Sequence, residues 1–382
     1  MAVTTAPPGG SPMATICYTK ARMSESGASR VEGEANRPSA ESTAARRRIA
    51  VVVNGNAKSV TEEVIATLDQ ILAGGDLFVS RRIEESADIA RTIVERGYGT
   101  VLTGGGDGTF TVMVTEVVRA ADAAKKPRPR FGLLRLGTGN SLAWVVGASK
   151  VGKGRGLAAD IQRLREDAGS RPMRLIEVMD MLTPFCGYGA DAQVLADYQR
   201  TKAFLSRGPL ARYAPGALSY IVSNVTQTLP SYVIRPVPHI RIKNLGGDVY
   251  RLGERGRVAQ AIPKGGIVYE GKARLIACST IPYYGFGMRM FPFAEDRPDR
   301  MHLRVSNITA PVFAANFPAI WRGEYENLEN TFDFLVDDIE VCADPETPFQ
   351  VGGDPVGVQT RVEMRLSPEP IELCDFYAPP RG

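Results

Sequence analysis

A continuous run of β-branched residues places the strongest constraint on the fold. Residues 49–53 read IAVVV, and an apolar strand without polar alternation is typical of a strand buried on both faces of a parallel sheet. An amphipathic helical repeat follows and ends at Gly74-Gly75. Strand and helix patterns then alternate: strands at 77–79, 100–103 and 131–134, helices at 86–95 and 110–121. This alternation predicts an α/β domain with a mostly parallel sheet.

The pattern changes twice along the chain. Residues 1–46 are rich in Ala, Ser, Pro, Gly and Glu without sustained periodicity, so they are predicted to be a disordered tail. Residues 47–178 form the predicted α/β domain. From 179 to 378 strand-like segments separated by Gly and Pro dominate, which predicts a second, mainly β domain with a helical insertion at 203–228.

Composition excludes several classes of protein. The 46 Lys and Arg against 42 Asp and Glu give a net charge of +4, which does not indicate a nucleic-acid partner. Only two histidines are present, far apart, which argues against a Ser-His-Asp triad and a histidine zinc site. Five cysteines without a C-x-x-C pair fit a reducing compartment. No apolar run has the length of a transmembrane helix or signal peptide, so a cytoplasmic location is expected.

A glycine-rich turn between the third strand and the third helix carries the clearest chemical signal. Residues 103–110 read TGGGDGTF. The glycines let the backbone approach a phosphate at the helix N-terminus, Thr109 can cap that helix, and Asp107 adds a carboxylate beside the phosphates. The alternative is an ordinary tight turn with a solvated Asp107, but such turns need one or two glycines rather than four.

A second turn, LGTGNSLA at 136–143, follows the fourth strand in the same topological position. Its candidate ligand-binding residues, with Asn54 after the first strand, are expected at the same carboxyl edge of the sheet. They are Gly137, Thr138, Gly139 and Asn140. A hairpin-like turn remains an alternative for Asn54-Gly55-Asn56. The chain has no G-x-x-x-x-G-K-[ST] P-loop and no G-x-G-x-x-G after the first strand.

These motifs resemble the diacylglycerol kinase catalytic-domain family, which includes bacterial lipid kinases, sphingosine kinases and ceramide kinases. The resemblance rests first on GGDGT at 105–109 and GTGNSLA at 137–143. It extends to GYGADA at 187–192 and YGFGMRMFP at 284–292, and so covers most of residues 49–375. The resemblance implies a first domain similar to NAD kinases and phosphofructokinases, a C-terminal β-sandwich, and an active site in the cleft between them.

The resemblance also implies an activity, which is ATP-dependent phosphorylation of the hydroxyl of diacylglycerol or a related lipid alcohol. ATP would be held by the two glycine-rich turns, with Ser80 a weaker match to a nucleotide-contacting Thr, and magnesium would bridge the phosphates. The implied ATP-binding residues are Asn54, Ser80, Gly104, Gly105, Gly106, Asp107, Gly108, Thr109, Phe110, Gly137, Thr138 and Asn140.

The general base and a second metal are implied at positions where the chain departs from the family. Gly352-Gly353-Asp354 stands where bacterial members have Asp-Gly-Glu, so Asp354 is the first candidate base and Asp107 the second; a simple β-turn is the alternative. A structural magnesium of some bacterial members would fall on Asp299, with the carbonyl groups of Asp296 and Met301. Arg300 replaces the expected glycine there.

Two other functions stay open from sequence alone. An NAD-kinase-like kinase of a soluble substrate would share the Gly-Gly-Asp-Gly element, and a catalytically weak nucleotide- or lipid-binding regulatory protein would explain the altered motifs. The favoured hypothesis is a lipid kinase whose substrate lies at the membrane surface. Such a kinase is expected in the cytoplasm, in peripheral contact with the inner membrane surface. Whether it forms a homodimer is left open by the sequence.

Overall fold

The computed structural model describes residues 48–57, 59–72, 76–137, 140–149, 155–166, 169–189, 236–285 and 287–377. The predicted tail at 1–46 and the predicted helical insertion at 203–228 lie outside these residues.

The first domain is built on parallel strands that alternate with helices. Its elements are β1 (Ile49–Asn54), α1 (Glu62–Leu72), β2 (Leu77–Ser80), α2 (Glu85–Glu95), β3 (Thr100–Gly105), α3 (Asp107–Ala123) and β4 (Arg130–Arg135). The strands pair in parallel in the order β2-β1-β3-β4. The β1 run is buried from Ile49 to Val53, as a strand covered on both faces requires. The predicted α/β fold of this region is confirmed.

The end of the chain returns to complete this first sheet. After α4 (Ser141–Val146) and α5 (Arg155–Arg165), β5 (Ser170–Met173) lies at the sheet edge. Between β4 and β5 runs β18 (Ile371–Cys374), parallel to β4 and antiparallel to β5. The sequence predicts this strand as part of the second domain, 179–378. The backbone of β18 instead pairs with the N–H and C=O groups at the open edge of β4. Local sequence patterns do not reveal this pairing.

The second domain is an antiparallel β structure. Its elements are β6 (Ile176–Val178), β7 (Met181–Thr183), β8 (Phe185–Gly189), β9 (His239–Asn244), β10 (Val249–Leu252), β11 (Val258–Ile262), β12 (Ile267–Lys272), β13 (Leu275–Ser279), β14 (Met301–Ser306), α6 (Ala310–Arg322), β15 (Thr331–Val336), β16 (Asp338–Val351) and β17 (Asp354–Leu366). The long β16 pairs with β9 through 339–344 and with β8 through 349–351, so the sheet folds over a shared core. The predicted mainly β second domain is confirmed.

Helix α3 joins the two domains. The hydroxyl groups of Thr111 and Thr183 hydrogen-bond at 3.1 Å, and the backbone N–H of Leu182 donates to Thr115 Oγ1 at 2.9 Å. The N-terminus of the same helix carries the glycine-rich turn. The candidate site therefore lies beside the contact between the two domains.

Candidate functional site

The three predicted loops meet at one edge of the first sheet. Strands β1, β3 and β4 are adjacent and parallel, so the segments that follow them leave the sheet on the same side. Gly105 is the last residue of β3, Gly106 is the N-cap residue of α3, and the helix begins at Asp107. Thr109 consequently lies inside the first turn rather than at the predicted cap. Thr138 and Gly139 are outside the described residues.

Backbone contact between the two glycine-rich turns requires glycine at position 137. A Cβ atom built there would lie 2.5 Å from the carbonyl oxygen of Gly105 and 2.5 Å from the Cα atom of Gly106, closer than any real side chain tolerates. A Cβ atom at Gly106 would instead meet no atom within 4 Å. Glycine at 106 is therefore not demanded by the protein's own packing, and its backbone faces open space that a ligand can enter.

Asp107 links the two turns. Its carboxylate accepts hydrogen bonds from the backbone N–H groups of Ser141 at 2.7 Å and Leu142 at 3.2 Å, so it caps α4. Burial raises the pKa of Asp107 to about 6, against the effect of these two donors, and the nearby Asp354 carboxylate also raises it. The alternative of a solvated Asp107 is wrong because the residue is 9% exposed.

Asn140 is the most exceptional polar group at this edge. The side chain is 3% exposed, and both its amide nitrogen and its amide oxygen lack a hydrogen-bond partner. Such a group costs roughly 1–3 kcal/mol when left unpaired in a protein interior. Its amide oxygen faces Gly137, where a Cβ atom would clash with it. Asn140 therefore has an unused donor and an unused acceptor beside the glycine-rich turns.

Asp354 reaches the site from the second domain. Gly352 and Gly353 adopt positive φ angles of 59° and 86° and form the tight turn between β16 and β17. The turn is held by the N–H of Gly352, which donates to the carbonyl of Phe185 at 3.0 Å. A Cβ atom at Gly108 would lie 2.7 Å from Asp354 Cγ. The turn that was the alternative interpretation of this motif is present, and it places the carboxylate of Asp354 against the first turn of α3.

The surroundings of Asp354 suit proton transfer. Asp354 as a whole is exposed to solvent, but protein atoms next to its carboxyl group displace water from that group. This desolvation raises the pKa of Asp354. A raised pKa makes the carboxylate a stronger base than an ordinary aspartate. Unlike Asp107, Asp354 is not engaged by the N–H groups that cap α4.

Asn54 and Ser80 border the site at the ends of β1 and β2, where they are paired in register. Asn54 Nδ2 donates to Thr109 Oγ1 at 3.4 Å, and Asn54 Oδ1 accepts from the N–H of Asn56 at 2.9 Å. The Ser80 hydroxyl donates to the carbonyl of Arg82 at 3.0 Å. Both side chains therefore shape their own loops while remaining at the predicted edge.

Phe110 does not face the site. Its side chain is completely buried in the core of the first domain, and its N–H donates to the carbonyl of Gly106 at 3.2 Å. The prediction that Phe110 contacts ATP is therefore not supported by its position. Its aromatic ring anchors α3 under the sheet instead.

Sequence reasoning missed three polar residues that the structure brings to this edge. Arg135 is the last residue of β4, and its guanidinium lies 4.6 Å from the ring centre of Trp144. Ser141 Oγ accepts from the N–H of Gly285 at 2.7 Å, and Gln350 Nε2 donates to Tyr284 Oη at 3.3 Å. A basic residue at the end of a parallel strand was the available signal for Arg135.

Asp299, the carboxylate of the implied structural metal, is paired with an arginine. Asp299 is engaged by Arg300, whose Nη1 lies 2.8 Å from its Oδ2 and 2.7 Å from its carbonyl oxygen. Asp296 is exposed, and Met301 is buried inside β14. No group of three or more His, Cys, Asp and Glu suited to a metal occurs among the described residues. The metal at Asp299, with the carbonyl groups of Asp296 and Met301, stays a prediction, at a position where the Arg300 guanidinium is paired with the Asp299 carboxylate.

Comparison with known proteins supports the family resemblance. Residues 48–176 match the family model of the diacylglycerol kinase catalytic domain. The chain is 36% identical over 96 residues to a "Probable lipid kinase YegS-like" protein of Enterobacter sp. (strain 638), an alignment that spans 24% of this chain and 31% of the relative. The predicted resemblance to the diacylglycerol kinase family is confirmed for this region.

A solved structure shares the fold of both domains. A diacylglycerol kinase from Bacillus anthracis strain Sterne superposes with a TM-score of 0.54 at 14% sequence identity, covering 86% of this chain and 97% of that one. At this identity the likeness concerns the fold alone. It extends over both domains, so the predicted pairing of an α/β domain with a β-rich domain is confirmed.

Proposed function

We propose that this protein is an ATP-dependent lipid kinase that transfers the γ-phosphate to the hydroxyl group of diacylglycerol or a related lipid alcohol. The observation that carries the proposal is the position of Asp354, whose carboxyl group rests against Gly108 in the first turn of α3. A candidate base from one domain thus meets a candidate phosphate-binding turn from the other. The diacylglycerol kinase domain match at 48–176 supports the choice of reaction.

The nucleotide is held by the edge of the first sheet. The open backbone at Gly106 and the N-terminus of α3 offer N–H groups and a positive dipole end to the phosphates. Arg135 provides a cation at the end of β4. Seven further residues shape this nucleotide-binding surface: Asn54, Ser80, Gly104, Gly105, Gly108, Thr109 and Gly137. Thr138 is proposed to bind the nucleotide with them.

Magnesium fits the donor atoms present here. This ion prefers oxygen ligands and keeps most of its coordination for water and substrate phosphates, so one or two protein oxygens suffice. The unpartnered Asn140 Oδ1 is such an oxygen. When bound, magnesium would neutralise charge on the phosphates of ATP.

Asp354 accepts the proton of the attacking lipid hydroxyl. Its raised pKa matches it to proton transfer nearer neutrality, and its place at the domain boundary leaves it open to a substrate from the second domain. Asp107 is a positioning residue, because its carboxylate is committed to the N-terminus of α4 and thereby holds the second turn against the first. The acceptor would be taken from the surface of the membrane on the cytoplasmic side.

The test is transfer of radiolabelled phosphate from ATP to a panel of long-chain alcohols in mixed micelles: diacylglycerol, monoacylglycerol, ceramide and a sphingoid base. Asp354→Asn is expected to lower kcat by about 100- to 10,000-fold with nucleotide affinity unchanged, since general-base catalysis contributes on that order. Glu346→Gln is the matched control, an exposed carboxylate on the same hairpin, and should behave as wild type.

Three outcomes separate the hypotheses. Transfer to one lipid class, abolished only by Asp354→Asn, supports the proposal and names the substrate. Transfer to NAD or another soluble alcohol in place of any lipid refutes it in favour of a soluble substrate. ATP binding without transfer to any acceptor refutes it in favour of a regulatory protein.

A further inference from the structure

Helix α6 is apolar apart from Asn316 and its last residue, Arg322, yet it lies on the surface. Its 13 residues read APVFAANFPAIWR and contain no charged residue before Arg322. Ile320 is the one side chain of the helix that is buried. A helix that is hydrophobic on all faces normally belongs in a protein core or a membrane. The exposed apolar side chains of α6 therefore indicate an apolar partner that shields them from water.

The exposed side chains of α6 form one continuous aromatic row. Phe313, Phe317 and Trp321 recur every four residues, with ring centres 5.7 Å and 5.5 Å apart. Their exposed fractions are 39%, 40% and 37%, and Val312 beside them is 38% exposed. A contiguous row of this kind marks an interaction surface rather than scattered surface hydrophobicity.

The C-terminal end of the row is hydrogen-bonded to a neighbouring segment of the second domain. The N–H of Arg289 donates to the carbonyl of Trp321 at 2.9 Å, which fixes the end of α6 to the segment that leads back to Gly285. Gly285 is in turn hydrogen-bonded to Ser141 Oγ at the start of α4. Trp321 and Ser141 are therefore hydrogen-bonded to residues only four positions apart in the chain, Arg289 and Gly285.

Basic side chains stand at the same end of the helix. Arg289 is exposed, and Arg322 is 57% exposed in its side chain, paired at the surface with Glu324 at 2.7 Å. Exposed ion pairs of this kind are weak and exchange readily for other anionic partners. Aromatic side chains with arginines at their border are typical of helices that lie at the boundary between lipid headgroups and acyl chains.

We propose that α6 docks on the surface of a bilayer containing anionic lipid. Phe313, Phe317 and Trp321 enter the boundary between headgroups and acyl chains, and Arg289 and Arg322 contact anionic headgroups. At about 20 Å, the helix is shorter than the ~30 Å hydrocarbon core, so it lies on the bilayer without crossing it. No helix among the described residues is long and apolar enough to span a membrane. This inference rests on the proposed lipid kinase function, since the same bilayer would supply the acceptor.

The test measures binding of the full chain to vesicles of phosphatidylcholine alone and of equal parts phosphatidylcholine and phosphatidylglycerol. In sedimentation, the double variant Phe313→Ser/Phe317→Ser should partition about 10- to 100-fold more weakly than wild type, because two half-exposed aromatic side chains lose their apolar contact. The matched control is Ile83→Ser/Val358→Ser, which removes two exposed apolar side chains elsewhere, 67% and 48% exposed, and should bind as wild type. Far-ultraviolet circular dichroism and melting temperature establish that both variants fold.

Fluorescence gives an independent readout of the docked helix. The chain contains two tryptophans, so in a Trp144→Phe background the emission reports Trp321 alone. Adding the anionic vesicles should shift this emission to shorter wavelength, and brominated acyl chains should quench it. An unchanged emission spectrum, or equal vesicle binding by wild type and the Phe313/Phe317 variant, overturns the proposal. The proposal is also overturned if ultracentrifugation shows a dimer held together by the apolar row and no vesicle binding is detected.

Kinase assays keep this inference distinct from the proposed function. If the Phe313/Phe317 variant loses activity on vesicle-embedded diacylglycerol but retains it on a short-chain soluble analogue, both are supported. If no variant or wild type phosphorylates either acceptor while Trp321 still enters the bilayer, the kinase proposal fails and membrane docking stands.

Discussion

A single methyl group added at Gly108 tests the geometry of the proposed site. A Cβ atom there would lie 2.7 Å from Asp354 Cγ, whereas carbon atoms in ordinary contact are about 3.5–4.0 Å apart. The Asp354 carboxyl group must therefore move by about 1 Å in Gly108→Ala. A displacement of that size at a reacting group costs roughly 100-fold in rate, equivalent to about 2.7 kcal/mol in the activation free energy.

The fold itself should tolerate this change. Gly108 is inside α3 and has no positive φ angle, so alanine is compatible with its backbone and favours the helix by up to about 1 kcal/mol. The assay is steady-state kinetics with whichever lipid alcohol the acceptor panel selects, together with nucleotide affinity by calorimetry and the melting temperature. We expect kcat to fall about 100-fold, with the affinity for ATP and the melting temperature close to wild type.

Gly106→Ala is the companion variant on the same turn. A Cβ atom at Gly106 meets no protein atom within 4 Å, so any defect reflects the approach of a ligand. We expect it to raise KM for ATP more than it lowers kcat. If Gly108→Ala keeps the wild-type kcat, or if its whole defect is a loss of ATP affinity, then Asp354 does not act where the structure places it and the reasoning is refuted.

Two further predictions concern buried charges. Because burial raises the pKa of Asp107 to about 6 from 3.8, the folded state holds this proton more tightly, so the contribution of Asp107 to the free energy of unfolding falls as pH rises through that window, by about 3 kcal/mol. In chemical denaturation, the free energy of unfolding of wild type minus that of Asp107→Asn should fall by about 3 kcal/mol as pH rises from about 4 to above 6; a pH-independent difference would contradict this. Asp333 accepts from Arg304 Nε at 2.7 Å and contacts His302 Nε2 at 2.9 Å, so Asp333→Ala should lower the free energy of unfolding by about 3–5 kcal/mol by leaving the buried Arg304 unpaired. A loss below about 1 kcal/mol, the value of an exposed pair, would show that water reaches this cluster.

Arg300, which stands where the resemblance implies a glycine, contacts acidic groups from several parts of the second domain. Arg300 Nη1 lies within 4 Å of carboxylate oxygens of both Asp299 and Asp337, and its Nε is 3.4 Å from the carbonyl of Asp248. The guanidinium thereby brings a positive charge to the Asp299 and Asp337 carboxylates. The departure from glycine at this position was visible in the sequence, but its consequence needed the positions of Asp248 and Asp337.

Much of the first domain was determined by the sequence alone. The run at 49–53 specifies a strand buried on both faces, and each following strand and helix appears within a few residues of its predicted bounds. The position of the glycine-rich turns was predictable for the same reason, because turns that follow adjacent parallel strands share one edge of the sheet. These features depend on local periodicity and on residues close together in the chain.

Only the tertiary structure decided how the candidate carboxylates differ. Asp107 and Asp354 both looked like candidate bases, yet one caps a helix 34 residues away and the other arrives on a hairpin from the second domain. Likewise β18 pairs with β4 across more than two hundred residues. Local patterns record which face of an element is apolar, whereas the meeting of distant segments depends on packing that many residues determine together.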